Sequence, residues 1–208
     1  KKEIIDFTIK NWAISQKRIN QNNKTNILKT HNMLCNLNLD GKNYSFTDLN
    51  NTIGVIHIVR DPRNVVTSVK NHFSLNTEEE SVAMICDKFN WTGLYNNEVP
   101  QLLSSWNNHY NSWKRFPKNY LLVKYEDMIS DTKKEIFKIV DFLSSYFEFN
   151  ESENIIDEII KNTSFENLKD LENKGKFKGN SLNKMTGKKN TFFNLGPKNN
   201  WRKLLKKE

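Results

Sequence analysis

Between residues 55 and 73 the hydrophobic pattern changes period. Val55, Ile56, Ile58 and Val59 form a short, mostly β-branched run, which predicts a buried strand at 55–59 opened by Gly54. Arg60, Asp61, Pro62, Arg63 and Asn64 break the run. Val65, Val66, Val69 and Phe73 then recur at helical spacing. Asp61 is a preferred N-cap, and Pro62 stands where a first helical residue belongs. The stretch is predicted to be strand, tight turn and helix.

The same two periods recur elsewhere. Ile4, Ile5, Phe7, Ile9, Trp12, Ile14 and Ile19 predict a helix over 1–20. It starts at Lys1 with no cap and no initiator methionine, so the chain is expected to begin inside a longer protein. Residues 26–31 form a candidate second strand, apolar first and polar at its end. Residues 36–51 are polar and read as a loop or short helix. Glu78, Glu79 and Glu80, followed by Val82, Ile85 and Phe89, predict an acidic helix start. Gly93, Asn96, Asn97 and Pro100 make a loop. Leu102, Leu103, Trp106, Tyr110 and Trp113 predict a helix over 102–116, its aromatic stripe a core face. Residues 120–125 form the third strand. Asp131 or Thr132 caps the next helix, 154–161 is another, and Ser164 caps a short one through Leu171. Residues 174–190 are polar, basic and glycine-bearing, and read as a mobile loop. Gly196-Pro197 favours a turn, with a helix start near Asn200. Strands alternating with helices predict an α/β fold of parallel βαβ units.

Composition narrows the partners. The 208 residues suffice for one sizeable α/β domain. Thirty-two Lys and Arg against 24 Asp and Glu leave a charge of +8, which suggests an anionic partner. The charge is scattered rather than striped. Cys35 and Cys86 have no metal or disulfide spacing, so a reduced, cytoplasmic setting is expected. No apolar run approaches the ~20 residues that a membrane span needs.

The strand–turn–helix at 55–73 is where chemistry concentrates. It sets helix N–H groups and the positive end of a helix dipole at the C-terminal edge of a sheet, where open α/β sheets take ligands. Arg60 ends the strand and Ser68 lies two turns into the helix. One cation, one hydroxyl and a helix start suit a phosphate. Arg60 paired with a neighbouring carboxylate is the other reading of the same residues. Lys29, Thr30 and His31 would emerge at another strand end, where a histidine beside a lysine could serve as a base. His57 is expected to be a buried structural residue, and Trp201 to pack.

Five pieces together resemble one family. Lys29-Thr30-His31, the Arg60-to-Ser68 segment, Val123-Lys124-Tyr125-Glu126-Asp127, Thr163-Ser164-Phe165 and Gly196 to Trp201 occur in the order found in cytosolic-type sulfotransferases that use 3′-phosphoadenosine 5′-phosphosulfate. The resemblance implies a three-layer αβα fold with a parallel sheet, like that of P-loop nucleoside-triphosphate hydrolases. It implies one sulfotransferase domain over 1–208, cut short at its N-terminus and possibly its C-terminus. It implies His31 as general base on an acceptor hydroxyl or amine and Lys29 as a stabiliser of the transferring group. Arg60 and Ser68 would hold the nucleotide 3′-phosphate. Tyr125 would contact the adenine, Thr163 and Phe165 would flank the nucleotide, and Gly196 would belong to a late nucleotide loop. No metal is implied.

The chain departs from the family pattern twice. The N-terminal loop that grips the 5′-phosphosulfate, roughly Pro-Lys-Ser-Gly-Thr/Asn-Thr-Trp, is absent. Asn194-Leu195 replaces the usual Arg-Lys before Gly196, and Lys198 is the candidate substitute for the lost charge. The acceptor is expected to be a small molecule or glycan, lined by 74–100 and 174–190, with no nucleic acid or membrane span involved. The alternative is a basic nucleic-acid-binding or nucleotide-binding module without catalysis, whose nucleic-acid affinity would fall steeply with salt.

Overall fold

The computed structural model describes residues 1–19, 24–94, 98–148, 152–181, 183 and 186–205. In chain order these give α1 (Lys2–Ile19), a hairpin of β1 (Asn36–Leu39) and β2 (Lys42–Ser45), β3 (Gly54–Val59), α2 (Pro62–Phe73) and α3 (Glu78–Cys86). A short antiparallel pair follows, β4 (Trp91–Thr92) with β5 (Gln101–Leu102), then α4 (Trp106–Lys114) and β6 (Asn119–Lys124). The remainder is helical: α5 (Tyr125–Ser130), α6 (Thr132–Ser144), α7 (Glu153–Asn162), α8 (Phe165–Asn173) and α9 (Trp201–Leu204), with a 3-10 turn at Gly196–Lys198. β3 and β6 form a parallel pair. The chain divides into two compact units, 1–57 with 84–121 and 58–83 with 122–208.

The first unit is built on edge-to-face aromatics. The rings of Trp12 and Phe46 lie 5.3 Å apart, and those of Phe46 and Trp113 6.1 Å apart, both near perpendicular. Ile9 and Phe116 complete this buried cluster. Gln16 ties α1 to the segment after β2: its amide donates to Phe46 O, and its oxygen accepts from Thr47 Oγ1 and from Asp48 N at 2.7 Å. Residues 36–45 are a hairpin rather than a loop or short helix. Asp40 (φ 53°) and Gly41 (φ 78°) form its two-residue turn, and both need the left-handed region that this turn type uses.

Residues 26–31 form no strand. Ile27 and Leu28 are 69 % and 56 % exposed, so the segment lacks the burial that would hold it in a sheet. It is instead followed by side-chain anchors. Leu102 N donates to the buried Asn32 Oδ1 at 2.7 Å, and Trp113 Nε1 donates to Asn32 O at 2.9 Å. The helix expected over 102–116 begins only at Trp106. Leu102 is taken into β5, Ser104 adopts φ 58°, and Ser105 provides the N-cap. β3 is also less buried than its sequence suggests. His57 is its one buried residue, while Ile58 is 59 % exposed, because the strand has β6 as its partner in a two-stranded sheet.

The second unit follows its local signals closely. Asp61 caps α2, Asp131 caps α6 and Ser164 caps α8, each accepting from a backbone N–H in the helix's first turn. Val66, Val123 and Ile156 are buried at 3 % exposure or less. The described part of 174–190, expected to be mobile, is tied to the end of α2. Ser181 Oγ donates to His72 O, and Asn190 Nδ2 reaches Ser74 Oγ at 2.9 Å. Among the described residues no helix is long and apolar enough to cross a membrane.

Candidate functional site

The turn between β3 and α2 gathers side chains from distant parts of the second unit. Arg60 is half-buried at the strand end. Its Nη1 donates to Ser68 Oγ at 3.4 Å, and its Nη2 donates to Gly196 O at 3.2 Å. The guanidinium carbon lies 4.1 Å from the centre of the Tyr125 ring, a cation–π stack. Burial lowers the Arg60 pKa, and the nearby Tyr125 and Glu126 act in the opposite direction. The carboxylate at the turn, Asp61, goes to Arg63.

Asp61 does three things at once. Its carboxylate caps α2 by accepting from Arg63 N at 2.9 Å, and it takes Arg63 in a two-pronged pair with Nε at 2.9 Å and Nη2 at 2.6 Å. Its own N–H donates to Glu126 Oε1 at 2.9 Å. The Arg63 hydrogen bond holds the Asp61 carboxyl below its ordinary range. Arg63 in turn lies 4.0 Å over the Trp201 ring, and Arg202 lies 4.5 Å from the same ring. Trp201 therefore meets cations rather than packing into a core.

The late loop closes on α2 through asparagines. Trp201 N donates to Asn64 Oδ1 at 2.9 Å. Asn199 is 7 % exposed, and its Nδ2 donates to Asn64 O at 2.9 Å and to Ser68 Oγ at 3.2 Å, while its Oδ1 accepts from Thr67 Oγ1 at 2.8 Å. Gly196 has φ 51° and sits against Phe165, whose ring leaves no room for a Cβ there. A guanidinium and a hydroxyl brought to one place, with the Tyr125 ring beside them, have the donor set of a phosphate receptor with an aromatic wall, while the first N–H groups of α2 are taken by Asp61.

Not every expected residue joins this group. Thr163 is exposed at the end of α7, and its hydroxyl donates back to Ile159 O at 2.7 Å. Lys198 is exposed, with its backbone N–H on Leu195 O. Lys29 and His31 belong to the first unit. His31 is exposed; its N–H donates to Gln101 Oε1 at 3.1 Å and its carbonyl lies 3.3 Å from His109 Nε2. His57 is buried with its Nδ1 2.8 Å from Tyr120 Oη, and burial together with His109 lowers its pKa to about 4. Asn64, Glu126 and Asn199 lie inside the motif segments 60–68, 123–127 and 196–201 but were given no role from sequence, and it is their hydrogen bonds that give them one. Among the described residues no group of three or more His, Cys, Asp or Glu could hold a metal ion.

Comparison with known proteins agrees with this α/β arrangement. The sulfotransferase-domain family model matches residues 3–208, and the chain belongs to that family. It is 32 % identical over 120 residues to sulfotransferase 2A1 of Macaca fascicularis, covering 56 % of this chain and 39 % of that protein. It is 30 % identical over 161 residues to cytosolic sulfotransferase 13 of Arabidopsis thaliana, covering 73 % of this chain and 46 % of the relative. The chain thus spans less than half the length of these relatives. In fold it is similar to mouse sulfotransferase SULT7A1 complexed with PAP, with a TM-score of 0.50 at 23 % identity over 73 % of this chain and 52 % of that one. It is similar to the same degree, TM-score 0.50 at 22 % identity, to retinol dehydratase in a complex with retinol and PAP, over 76 % of this chain and 44 % of that one.

Proposed function

We propose that the protein transfers a sulfuryl group from 3′-phosphoadenosine 5′-phosphosulfate to an acceptor hydroxyl or amine. The observation that carries this reading is Arg60: one guanidinium from the end of β3, stacked on Tyr125 and hydrogen-bonded to Ser68 and Gly196. Family membership supports it, and so do the two PAP complexes among the similar folds.

Sulfuryl transfer resembles phosphoryl transfer, in which the protein chiefly positions the reactants and neutralises charge. Arg60 and Ser68 hold the 3′-phosphate of the donor and so fix its register. Tyr125 and Phe165 supply faces for the base, and Gly196 holds the Arg60 guanidinium through its carbonyl, with Thr163 and Lys198 as further candidates for nucleotide contact. His31 takes the acceptor's proton, general-base help that contributes roughly 10²–10⁴-fold. Lys29 offsets charge on the transferring oxygens. Gln101 Oε1 accepts from the His31 N–H and His109 Nε2 lies 3.3 Å from its carbonyl, which fixes the backbone that carries the ring. Retinol in one of the similar structures favours a small hydroxylated acceptor. The cytosolic relatives favour a cytosolic setting.

Calorimetry with 3′-phosphoadenosine 5′-phosphate and with AMP tests the reading. The wild type should prefer the 3′-phosphorylated nucleotide, and Arg60→Ala should lose about 10- to 100-fold in that affinity, since a hydrogen bond to a charged group contributes roughly 1.5–3 kcal/mol. Equal affinity for the two nucleotides would overturn it.

A further inference from the structure

The buried Asn199 has a role beyond joining the late loop to α2. The orientation of its amide is set chemically. Asn64 O can only accept, so the nitrogen of the Asn199 amide must be the atom 2.9 Å from it. The second N–H of that nitrogen is then available to Ser68 Oγ at 3.2 Å, and Thr67 Oγ1 donates to the amide oxygen at 2.8 Å. All three contacts follow from one orientation of the amide.

The consequence falls on Ser68. Its oxygen receives two N–H donors, Asn199 Nδ2 and Arg60 Nη1, which together occupy both lone pairs. What the hydroxyl has left to offer is its proton. Within the protein that proton reaches Asn64 O at 3.4 Å, and the same carbonyl already accepts a shorter bond from Asn199 Nδ2 at 2.9 Å. The proton is weakly held, and an anionic oxygen would draw it away.

We propose that Asn199 is a positioning residue of the anion site, which presets Ser68 as a hydrogen-bond donor to the 3′-phosphate. This rests on the nucleotide reading above. It also gives the chain a way to keep its grip where Asn194-Leu195 brings no charge. No bond is made or broken; the gain lies in a hydroxyl dipole oriented before the ligand arrives, which spares reorganisation on binding.

The test is a double-mutant cycle with Ser68→Ala, read as affinity for 3′-phosphoadenosine 5′-phosphate by calorimetry, with AMP as the reference ligand. Asn199→Ala should weaken binding of the 3′-phosphorylated nucleotide about 10-fold, as expected for one hydrogen bond to a charged group, and leave AMP within about 2-fold. In the Ser68→Ala background the same substitution should cost less than about 2-fold, because the hydroxyl it orients is gone. Asn199→Ser removes the amide N–H toward Ser68 without adding charge and leaves the loop a hydroxyl, so it is the second variant should the alanine variant fail to fold, and it should weaken the 3′-phosphorylated nucleotide about 10-fold as well. An equal loss in both backgrounds would mean that Asn199 merely holds the loop, and would overturn the proposal. So would wild-type affinity in both Asn199 variants while Arg60→Ala still loses the nucleotide, an outcome that leaves the nucleotide reading standing. No preference for the 3′-phosphate in the wild type would remove that reading and this proposal together.

Discussion

Replacing Gly196 by alanine sets two costs at one atom. The residue has φ 51°, a conformation that costs a non-glycine residue about 1–2 kcal/mol. An added Cβ would also lie 2.1 Å from Phe165 Cε2, 2.3 Å from Cδ2 and 2.6 Å from Cζ. No real contact is so short, so the ring must move. Phe165 packs edge-on against Phe193 at 6.2 Å, and displacing a packed ring costs roughly 1–3 kcal/mol. Together these give a loss of about 2–5 kcal/mol. For a chain of this size that corresponds to a fall in melting temperature of roughly 4–20 °C. Urea denaturation should show a lower midpoint at an unchanged slope. The two costs can be separated. In a Phe165→Leu background the ring clash is gone, so Gly196→Ala should cost only the backbone term of about 1–2 kcal/mol. Additive effects of the two substitutions, within about 0.5 kcal/mol, would refute the reasoning.

Two further outcomes follow from groups outside the nucleotide contacts. His57 has a folded pKa of about 4 against an unfolded value near 6.5, so between those limits the unfolded chain binds a proton that the folded one does not. Stability should therefore fall as pH drops from 6.5 towards 4, by about 3 kcal/mol from this residue, with His109 adding in the same direction. His57→Gln should flatten urea midpoints measured across that range, and a profile identical to the wild type would count against the burial argument. At the head of α2, Asp61→Ala removes the cap and the Arg63 pair and should cost about 1–2 kcal/mol, whereas Asp61→Asn keeps the cap and should cost less than half as much. Equal losses in chemical denaturation would show that the ion pair, not the cap, carries the effect.

The parts of this molecule that sequence reveals are those whose causes are local. β3, its turn and α2 are specified within some twenty consecutive residues by β-branched spacing, a cap and a proline, and the structure forms them there. The caps at Asp131, Ser164 and Asn200 are equally local. The hairpin at 36–45 was also written locally, in Asp40-Gly41 between Leu37, Leu39 and Tyr44, and the polar composition around it hid that signal. Residues 26–31 were a different case. Their apolar pair looks like strand, but what fixes the backbone just beyond them is Asn32 reaching Leu102 and Trp113, partners no periodicity could name.

The candidate site divides along the same line. Arg60 and Ser68 are eight residues apart on one strand–turn–helix, so their meeting follows from local geometry. Asn199 meets Asn64, Thr67 and Ser68 across more than 130 positions, and its role exists only because the late loop folds back onto α2. Reading charge alone at 194–198 suggests a weakened grip with Lys198 as its replacement. The hydrogen bonds suggest another compensation, in which a neutral amide sets the polarity of a hydroxyl already in place. A buried dipole held at both ends keeps its orientation when a ligand binds, whereas an exposed lysine must give up side-chain freedom to make the same contact. On that ground Asn199 should matter more than Lys198 to recognition of the 3′-phosphate, although its side chain carries no charge.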